Sequence, residues 1–252
     1  MASKCKKLGY AMVLILGTSN AFAANIRAVT ELFSPFQMYD ASGSLTGCAT
    51  ELVRQLVQET GDSLTIDVMP WSLAYQYAVS TPGTFIFSIG RNEQREPLFH
   101  WIGNIARENL YFWTLSNSGI AKGEDILAFR DYRIAVVKDA TTHQYLSNQG
   151  FQNLYLMSST ESNIDESSRV RMLLKGRADI MIASSDHMQN AIASLGMPER
   201  SLQVVYRAKE LDTNLNFAIS APADEQMVAE YQIAFQQLNA PKKILQCVNQ
   251  WQ

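Results

Sequence analysis

Residues 64–89, LTIDVMPWSLAYQYAVSTPGTFIFSI, carry the pattern that decides the fold class. Residues 64–69 alternate apolar and polar side chains, as a half-buried strand does, and residues 71–79 are typical of a helix. The short apolar run at 84–89 then predicts a second strand. A strand, a helix and a strand in succession indicate an α/β domain with a largely parallel sheet.

The same alternation extends along the chain in both directions. Before this segment, residues 26–30 are a strand candidate, and residues 49–59 have the apolar spacing of an amphipathic helix that Gly61 ends. An aromatic-rich strand follows at 110–115, and the pattern then restarts. The further predicted strands are 132–137, 154–157, 179–183, 202–206 and 215–219, and the further predicted helices are 141–147, 170–174, 186–195, 224–238 and 242–251.

Two similar α/β units of about 100 residues each follow from this pattern, and this is the usual size of a compact lobe. No low-complexity linker separates the two units. Lobes joined in this way indicate a hinge with a cleft between them. Because clefts at lobe junctions are the commonest sites for small ligands, we expect a ligand site there.

The first 23 residues are typical of a cleavable export signal. Three lysines precede a short apolar run at 10–18, and Ala21-Phe22-Ala23 has the small-x-small pattern of a cleavage site. The apolar run is about half of the roughly 20 residues that a membrane-spanning helix needs. We therefore expect a mature chain that begins near Ala24 and lies in the periplasm.

The net charge and the cysteine content restrict the classes of partner and cofactor that the sequence predicts. Removal of residues 1–23 takes away three lysines and no acid, so the formal charge changes from −3 to about −6. A nucleic-acid partner needs clustered Lys and Arg, and we expect none here. No Cys/His cluster indicates a metal, and nothing indicates an organic cofactor. Cys48 and Cys247 either form a disulfide or stay unpaired, and the sequence leaves both alternatives open.

A series of motifs resembles the family-3 extracellular solute-binding proteins, the polar amino-acid receptors of ABC importers. IRAVTELFSPF at 26–36 resembles the family's first strand and loop, and SIGRNEQR at 88–95 resembles the segment after its third strand. RIAVVKDATTHQYL at 133–146 and KGRAD at 175–179 are similar to two motifs further along, although Ala140 stands where the family has a glycine. The resemblance covers nearly all of the mature chain.

The resemblance implies a fold and a function. The fold is a two-lobed α/β fold of the periplasmic-binding-protein type (type II), with a mostly parallel sheet and flanking helices in each lobe. Hinge strands that cross near 105–108 and 213–216 give lobe 1 as residues 24–106 plus 214–252 and lobe 2 as residues 107–213. The function is that of a receptor that closes on a small polar carboxylate, best matched by an amino acid, and delivers it to an inner-membrane ABC permease. A clamp of this kind works as a monomer, and we expect a monomer here.

Three candidate ligand residues lie at or after the strand at 84–89. Arg95 matches the family arginine that binds the α-carboxylate, and its guanidinium offers two parallel donors to such a group. Arg91 is either a second carboxylate donor or a surface residue that pairs with a nearby glutamate. Ser88 ends the strand, where ligands bind in doubly wound sheets, and is either a ligand contact or a turn residue.

Two threonines and two aromatic residues complete the expected pocket. Thr141 and Thr142 begin a helix, where unpaired backbone N–H groups favour an anion, although one hydroxyl can serve only as the N-cap. The match to the family's second threonine implies ligand contact by Thr142. Phe33 and Trp71 lie near strand ends, so each either walls the pocket with a flat ring or belongs to the core.

The expected partner of a ligand α-ammonium departs from the family pattern. Amino-acid receptors of this family place an aspartate where this chain has Ser184, which is neutral. Asp186 or Glu31 would have to replace it, because a buried charge without a partner is costly. If neither does so, the ligand is a different carboxylate or an amino acid in another pose.

Two other functions remain open at the level of sequence. An enzyme on this fold, such as a dehydratase, needs a titratable group beside its ligand. The chain has only His100, His143 and His187 and lacks a G-x-S-x-G motif, so we expect no enzymatic activity. A sensor that binds a metabolite and signals to a membrane partner would use the same site residues as a transport receptor.

Overall fold

The computed structural model describes residues 23–157 and 166–249 of the 252-residue chain. The predicted export signal therefore lies outside the described residues, except for Ala23. Within these ranges, no helix has both the length and the apolar character that are needed to cross a membrane.

Strands and helices alternate along the described chain. The strands are β1 (Asn25–Thr30), β2 (Met38–Tyr39), β3 (Leu45–Thr46), β4 (Ser63–Val68), β5 (Phe85–Gly90), β6 (Phe99–Glu108), β7 (Tyr111–Leu115), β8 (Ile134–Val137), β9 (Leu154–Met157), β10 (Ile180–Ala183), β11 (Leu202–Arg207) and β12 (Thr213–Ser220). The α-helices are α1 (Cys48–Glu59), α2 (Trp71–Ser80), α3 (Thr141–Asn148), α4 (Glu166–Leu174), α5 (Ser185–Ser194), α6 (Glu225–Gln237) and α7 (Ala240–Val248).

The first sheet has the strand order β4-β1-β5-β12-β6. Strands β4, β1 and β5 are parallel, and β12 runs antiparallel to both of its neighbours, so four strands share one direction. All six residues of β5 are buried, because helices cover both faces of the sheet. Phe85 and Phe87 pack towards α1, α6 and α7, whereas Ile86 and Ile89 pack towards α2.

The second sheet repeats this plan with the order β11-β7-β10-β8-β9. Here β7 is the reversed strand, and the other four share one direction. One face packs with α3 around Phe112 and Leu146, and the other packs with α4 and α5 around Met181 and Met188. Each sheet is therefore mostly parallel, as the sequence predicts.

Two neighbouring strands lead from one sheet to the other. β6 and β12 pair antiparallel along their whole length, as far as the partners Glu108 and Thr213. The chain then enters the second sheet through β7 and leaves it through β11. These strands bring the two sheets to a common junction.

A disulfide between Cys48 and Cys247 joins the first and last helices of the first sheet's layer. Cys48 begins α1, and Cys247 lies in the last turn of α7, with 199 residues between them in sequence. Of the two alternatives that the sequence left open, the structure has the bonded one. The bond ties the C-terminal helix to the helical layer that covers β6.

Removal of this disulfide should destabilise the protein. The double variant Cys48→Ser/Cys247→Ser, in a chain that begins at Ala24, should lose about 2 to 4 kcal/mol of unfolding free energy, because a long loop of the unfolded chain is no longer constrained. Urea unfolding measures this loss, and reduced wild-type protein is the matched control. Equal stability of the oxidised wild type and the double variant would contradict the prediction.

Candidate functional site

A cavity of about 100 Å³ lies where the two sheets meet. Strands β1, β5, β8 and β10 all point their carboxyl ends towards it, as ligand sites in open α/β sheets require. Its lining comes from both sheets: Glu31, Phe33, Trp71, Ser88, Gly90, Arg95, Glu108, Leu110, Ala135, Val136, Val137, Ala140, Thr141, Thr142, Met157, Arg169, Ile182, Ala183, His187, Thr213 and Leu215.

Arg95 is the central charged group of the cavity, and its side chain is fully buried. Its Nη1 donates to the Gly90 carbonyl at 2.6 Å, and its Nη2 donates to the Asp139 carbonyl at 2.7 Å. Gly90 ends β5 in the first sheet, whereas Asp139 follows β8 in the second. One guanidinium therefore connects the two halves of the molecule through backbone carbonyls.

Two aromatic rings enclose the same guanidinium. Its central carbon lies 4.7 Å from the ring centre of Tyr75 and 5.5 Å from that of Trp71. Burial lowers the pKa of Arg95 to about 10, because desolvation disfavours the charged form. The side chain nevertheless stays protonated at neutral pH, so it contributes a positive charge to a lining that also includes Glu31, Glu108 and Arg169.

Several residues of the cavity lining carry a buried polar atom that has no hydrogen-bond partner among the described residues. These atoms include the Nε of Arg95, the Nε1 of Trp71 and the Oγ1 of Thr213. The first two can only donate, and such a group costs about 1 to 3 kcal/mol when it is left unsatisfied. A ligand rich in hydrogen-bond acceptors, such as a carboxylate, would relieve this cost.

Ser88 adds a hydroxyl to the end of β5. It has a positive φ of 58°, which is uncommon for any residue except glycine, and its side chain is buried. The Nε2 of the buried Gln37 donates to its Oγ, so the Ser88 hydroxyl keeps its own proton for another acceptor. No sequence pattern selects Gln37, which lies 51 residues away from Ser88.

The start of α3 lies on the second-sheet side of the cavity. Thr141 is the first residue of this helix, and the N-cap Ala140 makes no side-chain hydrogen bond. Thr141 and Thr142 both line the cavity, so the unpaired backbone N–H groups of this helix terminus lie near it. Gly90 approaches Thr141 closely, since a Cβ at Gly90 would lie 2.7 Å from its Cγ2.

Phe33 forms part of the opposite wall and meets His187 from the second sheet. The two rings lie edge to face with their centres 4.5 Å apart. The Nδ1 of His187 is 3.5 Å from Oε1 of Glu108, and both side chains are largely buried. Neither His187 nor Glu108 was selected as a ligand residue from the sequence, because their proximity arises only from the fold.

Three of the predicted site residues lie outside this cavity. Arg91 makes a two-pronged ion pair with Glu96, at 2.6 and 3.0 Å, and is half exposed. Ser184 is the N-cap of α5, where its hydroxyl accepts from the His187 N–H at 3.4 Å. Ser184 and Asp186 instead line an adjacent cavity of about 570 Å³ beside α7.

The other predicted residues, namely Glu31, Phe33, Trp71, Ser88, Arg95, Thr141 and Thr142, all line the first cavity. In the part of the chain that the structure describes, no group of three His, Cys, Asp or Glu side chains is arranged to hold a metal ion.

Comparison with known proteins gives no match by sequence. No protein-family model matches the chain, and neither does any curated protein. Solved structures do match it in fold. A histidine kinase sensor domain with similarity to periplasmic binding proteins has a TM-score of 0.74 at 16% identity, over 90% of this chain and 94% of that one.

Two further structures are comparably similar. A mutant of the arginine-binding protein ArgBP from T. maritima has a TM-score of 0.72 at 14% identity, over 91% of this chain and 95% of that one. A putative L-cystine ABC transporter protein from Listeria monocytogenes has a TM-score of 0.71 at 15% identity, over 91% and 96%. The chain has the two-lobed fold of periplasmic binding proteins. The fold class predicted from the sequence is thereby confirmed, and identities this low show the fold alone.

The close contact at Gly90 generates a prediction about the junction of the two sheets. In Gly90→Ala the new methyl group would meet Thr141 Cγ2 at 2.7 Å and Thr213 Oγ1 at 2.8 Å, so the two halves would be forced apart. We expect ligand affinity to fall about tenfold, which corresponds to about 1.4 kcal/mol. Calorimetric titration measures the affinity.

Thr141→Ser supplies the matched background, because it removes Cγ2 and relieves the closest contact. Gly90→Ala should cost less affinity in that background than in the wild type. An equal loss in both backgrounds would show that the contact with Thr141 is not the cause.

Proposed function

We propose that this protein is a periplasmic solute-binding protein that captures a small polar carboxylate, best matched by an amino acid, by closure of its two lobes. The observation that carries the proposal is the set of buried donors around one cavity, above all the Nε of Arg95 and the Nε1 of Trp71. These donors are matched to an acceptor-rich anion, and the guanidinium supplies the opposite charge. No step of covalent chemistry is required.

Closure would turn on the paired strands β6 and β12. Lobe 1 would consist of residues 24–106 and 214–252, and lobe 2 of residues 107–213, with the crossings near 105–108 and 213–216. The antiparallel pairing of Glu108 with Thr213 supports these bounds, because both strands pass from one sheet to the other at that level. A few residues in such strands can absorb the dihedral change of a hinge.

Two contacts across the junction support a closed arrangement of the lobes. Arg95 reaches the Asp139 carbonyl, and the Nδ2 of Asn92 donates to the Oε1 of Gln144 at 2.8 Å across the same junction. A ligand favours this state only through contacts that it makes here and lacks in the open state. We infer that the ligand carboxylate binds Arg95 Nε and Trp71 Nε1 and is then covered by the start of α3.

Transport and signalling are the two candidate uses of this binding. The L-cystine ABC transporter neighbour favours delivery to an inner-membrane ABC permease. The histidine kinase sensor domain, with a TM-score of 0.74, favours a membrane signalling partner. Membership of the solute-binding family 3, the periplasmic location and the monomeric state belong to the same proposal, and the motifs quoted above support the first of these. A pull-down from membranes with the ligand-bound protein separates the two partners.

A thermal-melt panel tests the binding proposal. The chain from Ala24 onwards is melted with L-amino acids, amines, dicarboxylates and cyclic carboxylates, and a ligand present at 100 times its dissociation constant should stabilise it by about 2.7 kcal/mol. That energy is equivalent to several degrees in Tm. A shift with amines alone, or no shift with any carboxylate, would contradict the proposal.

Arg95 provides the sharpest mutational prediction. Arg95→Ala should lower affinity for the best ligand of the panel about 10- to 100-fold, because a charge-assisted hydrogen bond is lost. Arg95→Lys keeps the charge but removes the Nε donor, so it should also bind weakly. Arg27→Ala, which removes an exposed arginine paired with Asp67, is the control.

The Arg95 variants must remain folded for the comparison to hold, and circular dichroism checks this. Affinity of Arg95→Lys equal to that of the wild type would mean that Nε takes no part in binding.

A further inference from the structure

His187 and Glu108 form a pair that neither the family resemblance nor the predicted ligand set contains. His187 lies in the first turn of α5, with only 7% of its surface exposed, and Glu108 is the last residue of β6. Both line the cavity, and the Nδ1 of His187 lies 3.5 Å from the Glu108 carboxylate. The Phe33 ring makes an edge contact with the His187 imidazole and restricts the orientation of its plane.

The pair brings an acceptor to this wall of the cavity. Glu108 ends in a carboxylate, which can only accept hydrogen bonds, so it is matched to a donor that carries a positive charge. His187 lies 3.5 Å from this carboxylate and packs against Phe33, so its imidazole forms the wall beside the carboxylate.

We propose that the Glu108–His187 pair receives the amino group of the ligand and takes the place of the acid that is missing at Ser184. This inference rests on the proposed function and names the ligand class as α-amino acids. The Ser184 side chain serves as the N-cap of α5 and accepts from the backbone N–H of His187. This cap places His187, three residues further along, at the cavity. Arg95 with Trp71 would hold the carboxylate, and the pair would hold the ammonium from the other wall.

The test is discrimination between an amino acid and its oxygen analogue. Each L-amino acid that shifts the Tm of the wild type is titrated beside the 2-hydroxy acid with the same side chain, in the wild type, in Glu108→Gln and in His187→Phe. Glu108→Gln keeps the size of the side chain and removes its charge. We expect the wild type to prefer the amino acid at least about tenfold, and each variant to lose about tenfold of that preference.

Each outcome of this titration supports or overturns the proposal. An unchanged preference in Glu108→Gln and His187→Phe overturns the role of the pair and leaves the binding proposal intact. Equal affinity of the wild type for the two analogues overturns it as well, because no amino group is then recognised. If the protein binds carboxylates without an α-nitrogen but no amino acid, the ligand class proposed here is wrong, whereas binding of no carboxylate at all also removes the proposed function.

A second and independent observation concerns the start of the mature chain. The backbone nitrogen of Ala24 donates to Oδ1 of Asp62 at 2.8 Å. The other oxygen of that carboxylate accepts from the hydroxyl of Tyr231 at 2.7 Å, and the hydroxyl oxygen of Thr60 lies 3.0 Å from it. Burial, with a smaller effect from Asp62, raises the pKa of Tyr231, so the phenol stays a donor to this carboxylate.

Ala24 is the residue at which the mature chain is expected to begin. Cleavage after Ala21-Phe22-Ala23 would convert the Ala24 nitrogen from an amide into an α-ammonium with three donors and a positive charge. Asp62 is already oriented by α6 and by the end of α1, so the ammonium would meet a fixed carboxylate. We infer that Asp62 is the receptor for the new N-terminus and that processing completes an ion pair which the precursor lacks.

A double-mutant cycle isolates that ion pair. Asp62→Asn is made in the exported protein, whose start is read by intact mass, and in a chain that carries Gly-Ser before Ala24. We expect Asp62→Asn to lower Tm by about 2 to 4 °C more in the processed chain than in the extended chain, because only the former loses an ion pair. The extended chain accounts for the loss of the contacts with Tyr231 and Thr60.

Equal Tm losses in the two chains would overturn the inference. A processed protein that begins at any residue other than Ala24 would overturn it as well.

Discussion

Arg95 carries a charge that the fold has removed from water, and the arrangement of the junction follows from that constraint. A buried guanidinium is costly unless its donors are satisfied. Carbonyls of Gly90 and Asp139 satisfy its terminal nitrogens from the two sides of the cleft, and the rings of Trp71 and Tyr75 enclose its plane. The Nε donor has no hydrogen-bond partner among the described residues, so a bound anion in contact with it would complete a set of contacts that the protein alone leaves open.

The two sheets supply that set because their strands end at the same place. Parallel strands β1 and β5 from one sheet and β8 and β10 from the other all stop at the junction, which gathers loops and a helix start around one small space. The lack of a side chain at Gly90 lets the two halves of the molecule approach closely. The paired strands β6 and β12 connect the two sheets. The shape of the cavity therefore depends on backbone geometry as much as on side-chain identity.

Local sequence patterns predicted the secondary structure and the residues near strand ends. They did not predict contacts between residues that are far apart in sequence and that only the fold brings together. The apolar periodicity of residues 64–89 indicated the βαβ order, and the positions of Arg95, Trp71 and Thr141 near strand ends indicated their part in the cavity. The pairs Gln37–Ser88 and Glu108–His187 join residues that lie far apart in sequence, so no spacing signals them. Arg91 has the same chemistry as Arg95 and lies close by in sequence, but Glu96 is within its reach and holds it at the surface.

A crystal structure of the exported protein with its best amino-acid ligand tests the central claim most directly. The account predicts a ligand carboxylate oxygen within about 3.2 Å of both Arg95 Nε and Trp71 Nε1, between the two sheets. A ligand that binds in the cavity beside α7, or one whose carboxylate contacts neither atom, would contradict it.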